Sequence, residues 1–395
     1  MKLQGCWHWL NVAMRGRGFA GCVLLGLSLV WPACATHEHV QPPQMKDVVR
    51  VAAGWTHSCA VNGKGHVKCW GANKYGQLGD GTHIAKRAPV DVSGLMIAAK
   101  DVTVGERHTC AVTTAGGLKC WGSNHDFQLG DGTRQDRVAP VDVVELQSDV
   151  RSAAAGEQHT CILTTTGGVK CWGKNQDGQL GDGTTLDKSM PVDVDGLTSG
   201  IMAIAAGWSH TCALMNGGGV KCWGNNQDGQ LGDGTTVGRS TPTEVVGLAG
   251  GVTTIAAGGR HTCALLDTGG VKCWGQNQRG QLGDGTTVDR VAPINVADLT
   301  SGVTALAAGW QHSCALMLTG AIKCWGNNGN GQLGVGRLLL KVTATNVAWM
   351  AAQAVAVTAG KEHTCALLTD NAVKCWGDDE QGQLGKDTKV AQSMF

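Results

Sequence analysis

Gly54-Trp-Thr-His-Ser-Cys-Ala-Val-Asn-Gly-Lys-Gly-His-Val-Lys-Cys-Trp-Gly71 is written seven times in this chain, with variations. Its first cysteine returns at Cys59, Cys110, Cys161, Cys212, Cys263, Cys314 and Cys365, a constant period of 51 residues. The second follows ten residues later, at Cys69, Cys120, Cys171, Cys222, Cys273, Cys324 and Cys375. A fixed period of this length marks an array in which each unit buries its apolar face against the next. The copies account for residues 51–395 and override the two or three domains that 395 residues would otherwise suggest.

The fourth copy shows what one unit is. Ile201 to Ala206 is a short apolar run, His210 to Met215 a second and Val220 to Gly224 a third. Asn216-Gly-Gly-Gly219 between the last two is a hairpin turn, because glycine supplies the positive φ such turns need. Gln230-Leu-Gly-Asp-Gly-Thr235 is a second turn. Thr241 to Val246 is a fourth strand, with Pro242 near its start, where it costs no ladder bond. Four short antiparallel strands per repeat make one blade of a propeller.

The hairpin sets the cysteines opposite each other. If Cys59 faces Cys69, then Ala60 faces Lys68, Val61 faces Val67 and Ser58 faces Trp70. Directly opposed strand residues lie within the Cα separation that a disulfide tolerates. One disulfide per blade, seven in all, is the expectation. A zinc knuckle needs closer ligand spacing, so no metal and no cofactor is expected.

Glycine is 60 of 395 residues, about twice ordinary usage, and falls at fixed places in the repeat, which means turns rather than disorder. Net charge is +1 with no long run of one sign, so there is no nucleic-acid footprint. No nucleophile–base pair stands out in any copy, and the chain is expected not to be an enzyme.

Residues 18–33 are an uncharged apolar run preceded by Arg15 and Arg17. This pattern reads as a signal peptide over residues 1–35, with translation starting at Met1 or at Met14. Cleavage at Ala33-Cys34-Ala35 would release a soluble protein. Lipidation of Cys34 is the alternative, and the only tie to a membrane that the sequence offers. Either way the expected location is extracytoplasmic: secreted, periplasmic or cell-surface.

The pattern Gly-x-x-His-[Ser/Thr]-x-Ala-Leu, then Gly-x-Val-x-x-Trp-Gly-x-Asn-x-x-Gly-Gln-Leu-Gly-x-Gly, is clearest at Gly207 to Gly234 and Gly258 to Gly285. It resembles the regulator of chromosome condensation repeat, here in a bacterial, exported, disulfide-rich form. The resemblance spans residues 51–395. It implies an all-β fold: a seven-bladed β-propeller of four-stranded antiparallel blades, closed by a strand from one terminus. Residues 36–50 are the expected linker and N-terminal closing strand, completing a seventh copy that ends before its fourth strand. The best-known activity of the family is nucleotide exchange on a small nuclear GTPase. That regulator role is the alternative to the reading preferred on the leader: an extracytoplasmic scaffold, monomeric by this reading, that binds a protein or a glycan. Phe127 replaces a turn glycine, Val335 a turn aspartate, and Leu338 to Met350 loses the proline-led strand, leaving the sixth blade's outer edge open to question.

The invariant His57, Lys68 and Trp70 and their copies are read as scaffold: the imidazole bonded to backbone at its own strand, the lysine head in water, the indole in the core. Function is sought where copies differ. After the glycine of each Gly-x-x-His turn the chain offers Trp55, Glu106 with Arg107, Glu157, Trp208, Arg260, Trp310 and Lys361. In a ring these share one rim. Tryptophan is favoured at binding hot spots, so this rim is the candidate ligand face.

Overall fold

A computed structural model describes residues 47–336, 340–347, 350 and 353–385. Seven antiparallel sheets follow one another in the chain, each a plain up-and-down meander. In the first, Val48–Ala53, His57–Asn62, Val67–Gly71 and Lys86–Asp91 lie in sequence order. The hairpin register pairs Cys59 with Cys69, Ala60 with Lys68, Val61 with Val67 and Ser58 with Trp70. All seven cysteine pairs are disulfides, Cys59–Cys69 having a Cα separation of 4.1 Å. Every one of these sulfurs is buried.

The core lies between blades, not within them. Cys59, Val61, Cys69 and Leu78 of blade one pack on Val102, Ala111 and Trp121 of blade two, and the other junctions repeat this set. The core indoles of blades one to six also donate backwards, for example Trp121 Nε1 to the Gln77 carbonyl at 2.9 Å and Trp223 Nε1 to that of Gln179 at 2.9 Å. The glycine two residues after each such glutamine lies under the indole. A Cβ on Gly79 would come within 2.7 Å of Trp121 Nε1, and its φ of +68° already disfavours any other residue.

The buried histidines do more than hold their own turns. His57 Nε2 meets Thr109 Oγ1 at 2.8 Å, and Thr109 Oγ1 donates to the Gln77 carbonyl at 2.9 Å. The hydroxyl proton being spent there, the imidazole donates through Nε2. The same link joins every blade to the next, and His363 returns it to Ser58 at 2.8 Å. The imidazole therefore bridges blades instead of bonding to backbone at its own strand.

Against the expectation, among the described residues no N-terminal strand closes the last blade. Val48–Ala53 is the innermost strand of blade one, pairing Ala52 with Cys59, just as Ile201–Ala206 does in blade four. The seventh sheet has three strands among the described residues, Ala354–Ala359, His363–Leu368 and Val373–Gly377. Blade seven meets blade one by packing: Val48, Ala60 and Trp70 share a core with Cys365, Leu367, Cys375 and Leu384. Lys361 N donates to the Gly54 carbonyl at 3.1 Å, and Trp70 Nε1 to that of Gln383 at 2.8 Å. Residues 1–46, with the proposed leader and Cys34, lie outside the described residues. The sixth blade keeps its fourth strand, Leu340–Asn346, pairing Lys323 with Asn346 despite the missing proline.

Candidate functional site

Each Gly-x-x-His turn joins the innermost strand of a blade to the next, so the seven turns meet around the axis. Their glycines touch in sequence. A Cβ on Gly105 would come within 2.6 Å of the Gly156 carbonyl oxygen, and one on Gly258 within 2.5 Å of that of Gly309. The residue after each glycine is thereby pushed into the axial mouth.

Trp55, Glu106, Glu157, Trp208, Gly259, Trp310 and Lys361 line a cavity of about 110 Å³, with a ring of small residues such as Ala53, Ala206 and Ala308 behind them. Three blades far apart in sequence bring their indoles into mutual contact. Trp55 and Trp310 stack with centroids 5.7 Å apart, while Trp208 meets Trp55 edge-on at 5.7 Å and Trp310 at 5.8 Å. The scaffold tryptophans are buried; these three are half-exposed. Part of the rings' apolar surface is thus covered by each other. Trp208 Nε1 is buried with no hydrogen-bond partner.

Cations rest on these rings. Lys361 Nζ lies 4.4 Å from the centroid of Trp310 and 5.0 Å from that of Trp55; Arg260 lies 4.8 Å over Trp208 and is paired to Asp228 at 3.2 Å. Such contacts are worth roughly 0.5–2 kcal/mol each, depending on desolvation. Arg107 turns away from the axis. It ion-pairs with Glu106 at 2.9 Å and covers the ring of Tyr75, 4.9 Å from its centroid.

The two carboxylates of the mouth stand at the same position of adjacent blades. Glu106 is 4% exposed, and burial raises its pKa against the pull of Arg107, Lys361 and Lys174. Glu157 is pushed up to about 7, by burial first and then by the charge of Glu106.

All eight candidate rim residues therefore lie on one face, six of them at the mouth itself. Sequence reasoning noted Phe127 only as a replaced turn glycine and gave no role to Gly259 or Tyr75. A Cβ on Gly259 would fall on Trp310 Cδ1, so this glycine opens the space through which that indole reaches the others. Tyr75 is the sole tyrosine, a signal that was available. Phe127 holds φ +64° where other copies use glycine, under the Arg134 guanidinium at 4.3 Å.

The other repeated polar residues are spent on the scaffold. Lys68, Lys119 and Lys170 pair with Asp91, Asp142 and Asp193 of the outer strands at 2.7–2.9 Å. Asp182 accepts from Asn175 Nδ2 at 3.1 Å and Thr184 N at 3.0 Å, with Lys188 at 3.0 Å.

A seven-fold ring of meander blades with its variable side chains at the axial mouth defines a β-propeller interaction module. The chain belongs to the RCC1-like domain family, whose model matches residues 25–305 and 137–394. It is similar to the ultraviolet-B receptor UVR8 of Arabidopsis thaliana, 33% identical over 91% of this chain and 83% of the relative. It is 29% identical to the RCC1 domain-containing protein RUG3, mitochondrial, of the same plant, over 80% of this chain and 78% of the relative. Among solved structures it is similar to Prp20p of Saccharomyces cerevisiae, the yeast RCC1, described with its binding to Gsp1p and histones. That match has TM-score 0.71 and 23% identity over 85% of this chain and 84% of the other; at this identity the likeness concerns the fold.

Two expectations are corrected by these relatives. The exclusion of enzymatic function does not stand, because the fold is shared with Prp20p, the yeast RCC1, and the lack of a nucleophile–base pair decides nothing by itself. The extracytoplasmic location does not stand either. The relative RUG3 is named mitochondrial, and the leader on which that location rested lies outside the described residues.

Proposed function

We propose that this chain is a protein-docking propeller of the regulator type, which receives its partner on the face that carries the axial mouth. Trp55, Trp208, Trp310 and Lys361 form the centre of the contact, with Glu106, Arg107, Glu157 and Arg260 around them. One observation carries this reading: the three indoles converge, half-exposed, at a ring of positions that differ from copy to copy around the axis. A protein is preferred to a glycan because the partners named for Prp20p, Gsp1p and histones, are proteins. By the same likeness the first class of partner to try is a small GTPase, with nucleotide exchange as the activity.

The test uses a panel of small GTPases loaded with a fluorescent nucleotide. Acceleration of release by the native chain, lost in Trp55→Ala, Trp208→Ala and Trp310→Ala variants that keep their thermal midpoints, supports both steps. Binding without acceleration keeps the docking face and removes exchange. Unchanged binding by all three variants overturns the docking face.

A further inference from the structure

We propose that Glu106 and Glu157 form a one-proton switch that sets the charge of the axial mouth and, through it, the docking of a partner. This deepens the docking reading and rests on it for its consequence, but not for its test.

The geometry comes first. The two residues occupy equivalent turns of neighbouring blades and line one cavity of about 110 Å³, whose other walls are the three indoles, Val104, Lys361 and a ring of alanines and glycines. Glu106 has a counter-ion in Arg107, at 2.9 Å. The Glu157 carboxylate has neither an ion pair nor a hydrogen-bond donor among the described residues, although it is half-buried. Its turn is fixed from the next blade, Glu157 N donating to the Trp208 carbonyl at 3.3 Å.

The charged groups around Glu157 come from three elements. Glu106 and Arg107 belong to the turn of blade two, Asp126 to the outer loop of that blade, and Lys174 follows the third strand of its own blade. Lys174 is engaged elsewhere, donating to Gln158 Oε1 at 2.7 Å. Lys174 and Arg107 pull the carboxyl down, while Glu106 and Asp126 push it up; burial adds to the rise, and the balance lies near neutrality. Two like charges lining one cavity hold a proton more tightly than either would alone.

The consequence concerns Lys361. It is the one cation lining the mouth, and among the described residues no carboxylate lies within ion-pair distance of it. An acidic segment of a partner that places a carboxylate on Lys361 meets two negative charges across the cavity above the transition and one below it. Mild acidification therefore tightens docking.

The test needs no partner. The full chain is titrated from about pH 5 to about pH 9, following tryptophan fluorescence and the side-chain carboxyl carbon resonances. The expected result is a one-proton transition near pH 7 at the Glu157 carbon, echoed in the fluorescence of the mouth. The fluorescence step disappears in Glu157→Gln. In Glu106→Gln the midpoint moves to lower pH, because the neighbouring negative charge is gone. Any transition that persists in Glu157→Gln belongs to other groups and is subtracted. No Glu157-dependent transition, or an unmoved midpoint in Glu106→Gln, overturns the proposal. Should Glu157→Gln not fold, the carbon resonance and the Glu106→Gln shift still decide. Since no partner is in the cuvette, failure here is distinct from failure of the docking reading.

Discussion

Gly259 and Trp310 cannot both carry bulk: a Cβ on Gly259 would clash with Cδ1 of the Trp310 indole. The tryptophan cluster at the axis therefore depends on a missing side chain one blade away.

Gly259→Ala should expel Trp310 from its stack on Trp55 without touching the blade cores. Overpacking of this kind costs about 1–3 kcal/mol. The freed indole gains water, so emission should shift to the red while the seven buried scaffold indoles keep theirs. An unshifted spectrum would show that the indole has another place to go.

The histidine ring makes stability fall in acid. Burial holds His57, His108, His159, His261 and His312 down to about 3 and His210 and His363 to about 4. Their folded values lie below the unfolded value of about 6.5, so the unfolded chain binds more protons in between. Stability is thus fully present above about pH 6.5 and is lost as pH falls toward 3–4, by up to about 1.4 kcal/mol per pH unit for each histidine. Urea midpoints measured between those limits should drop steeply, and His108→Gln should remove one histidine's share of the slope. A flat profile would mean that the imidazoles are not held neutral.

Thr109→Val keeps the shape of the side chain but leaves His57 Nε2 without an acceptor. An unsatisfied buried donor costs about 1–3 kcal/mol, whereas Thr109→Ser, which repeats the hydroxyl found at Ser313, should cost far less. Thermal midpoints of the two variants compare the hydrogen bond directly. Equal losses would assign the cost to packing instead.

Much of this fold could be read in the chain because the repeat is so regular. The period gave the number of blades, and the ten-residue spacing gave the register that places Cys59 opposite Cys69. The closure was misread although the means to read it were present. Ile201 to Ala206 was recognised as a strand in copy four, and its counterpart in copy one is Val48 to Ala53. That segment was already committed to blade one and could not also complete blade seven. The partner of His57 was hidden for a different reason. Thr109 is one period and one residue further on, and only the stacking of blades brings the two together. At the mouth, the variable positions named the face, but the meeting of Trp55, Trp208 and Trp310 was not foreseeable. It depends on which way each indole turns over its neighbours, and on the space at Gly259.

The seam between blades seven and one should be the first part of the ring to open. Every other junction is backed by continuous chain between the two blades it joins. Among the described residues this one rests on a shared apolar core and a few polar contacts: Ser58 Oγ with His363 Nε2 at 2.8 Å and with the Gln383 carbonyl at 3.1 Å, Ala53 N with Thr358 Oγ1 at 3.2 Å, and Arg87 with Asp379 at 3.3 Å. Local openings are governed by such contacts rather than by global stability. Ser58→Ala strands the His363 donor and should cost about 1–3 kcal/mol, while Thr211→Ala, which strands His159 inside the ring, should cost a similar amount globally. Hydrogen exchange separates the two. In Ser58→Ala the amides of Val48–Ala53 and His363–Leu368 should exchange faster than those of blades three to five, because the seam opens as a unit. In Thr211→Ala the two strands at the seam should stay level with the rest. Uniform acceleration in both variants would mean that the ring unfolds only as a whole, and that packing alone closes it as firmly as the chain closes the other junctions.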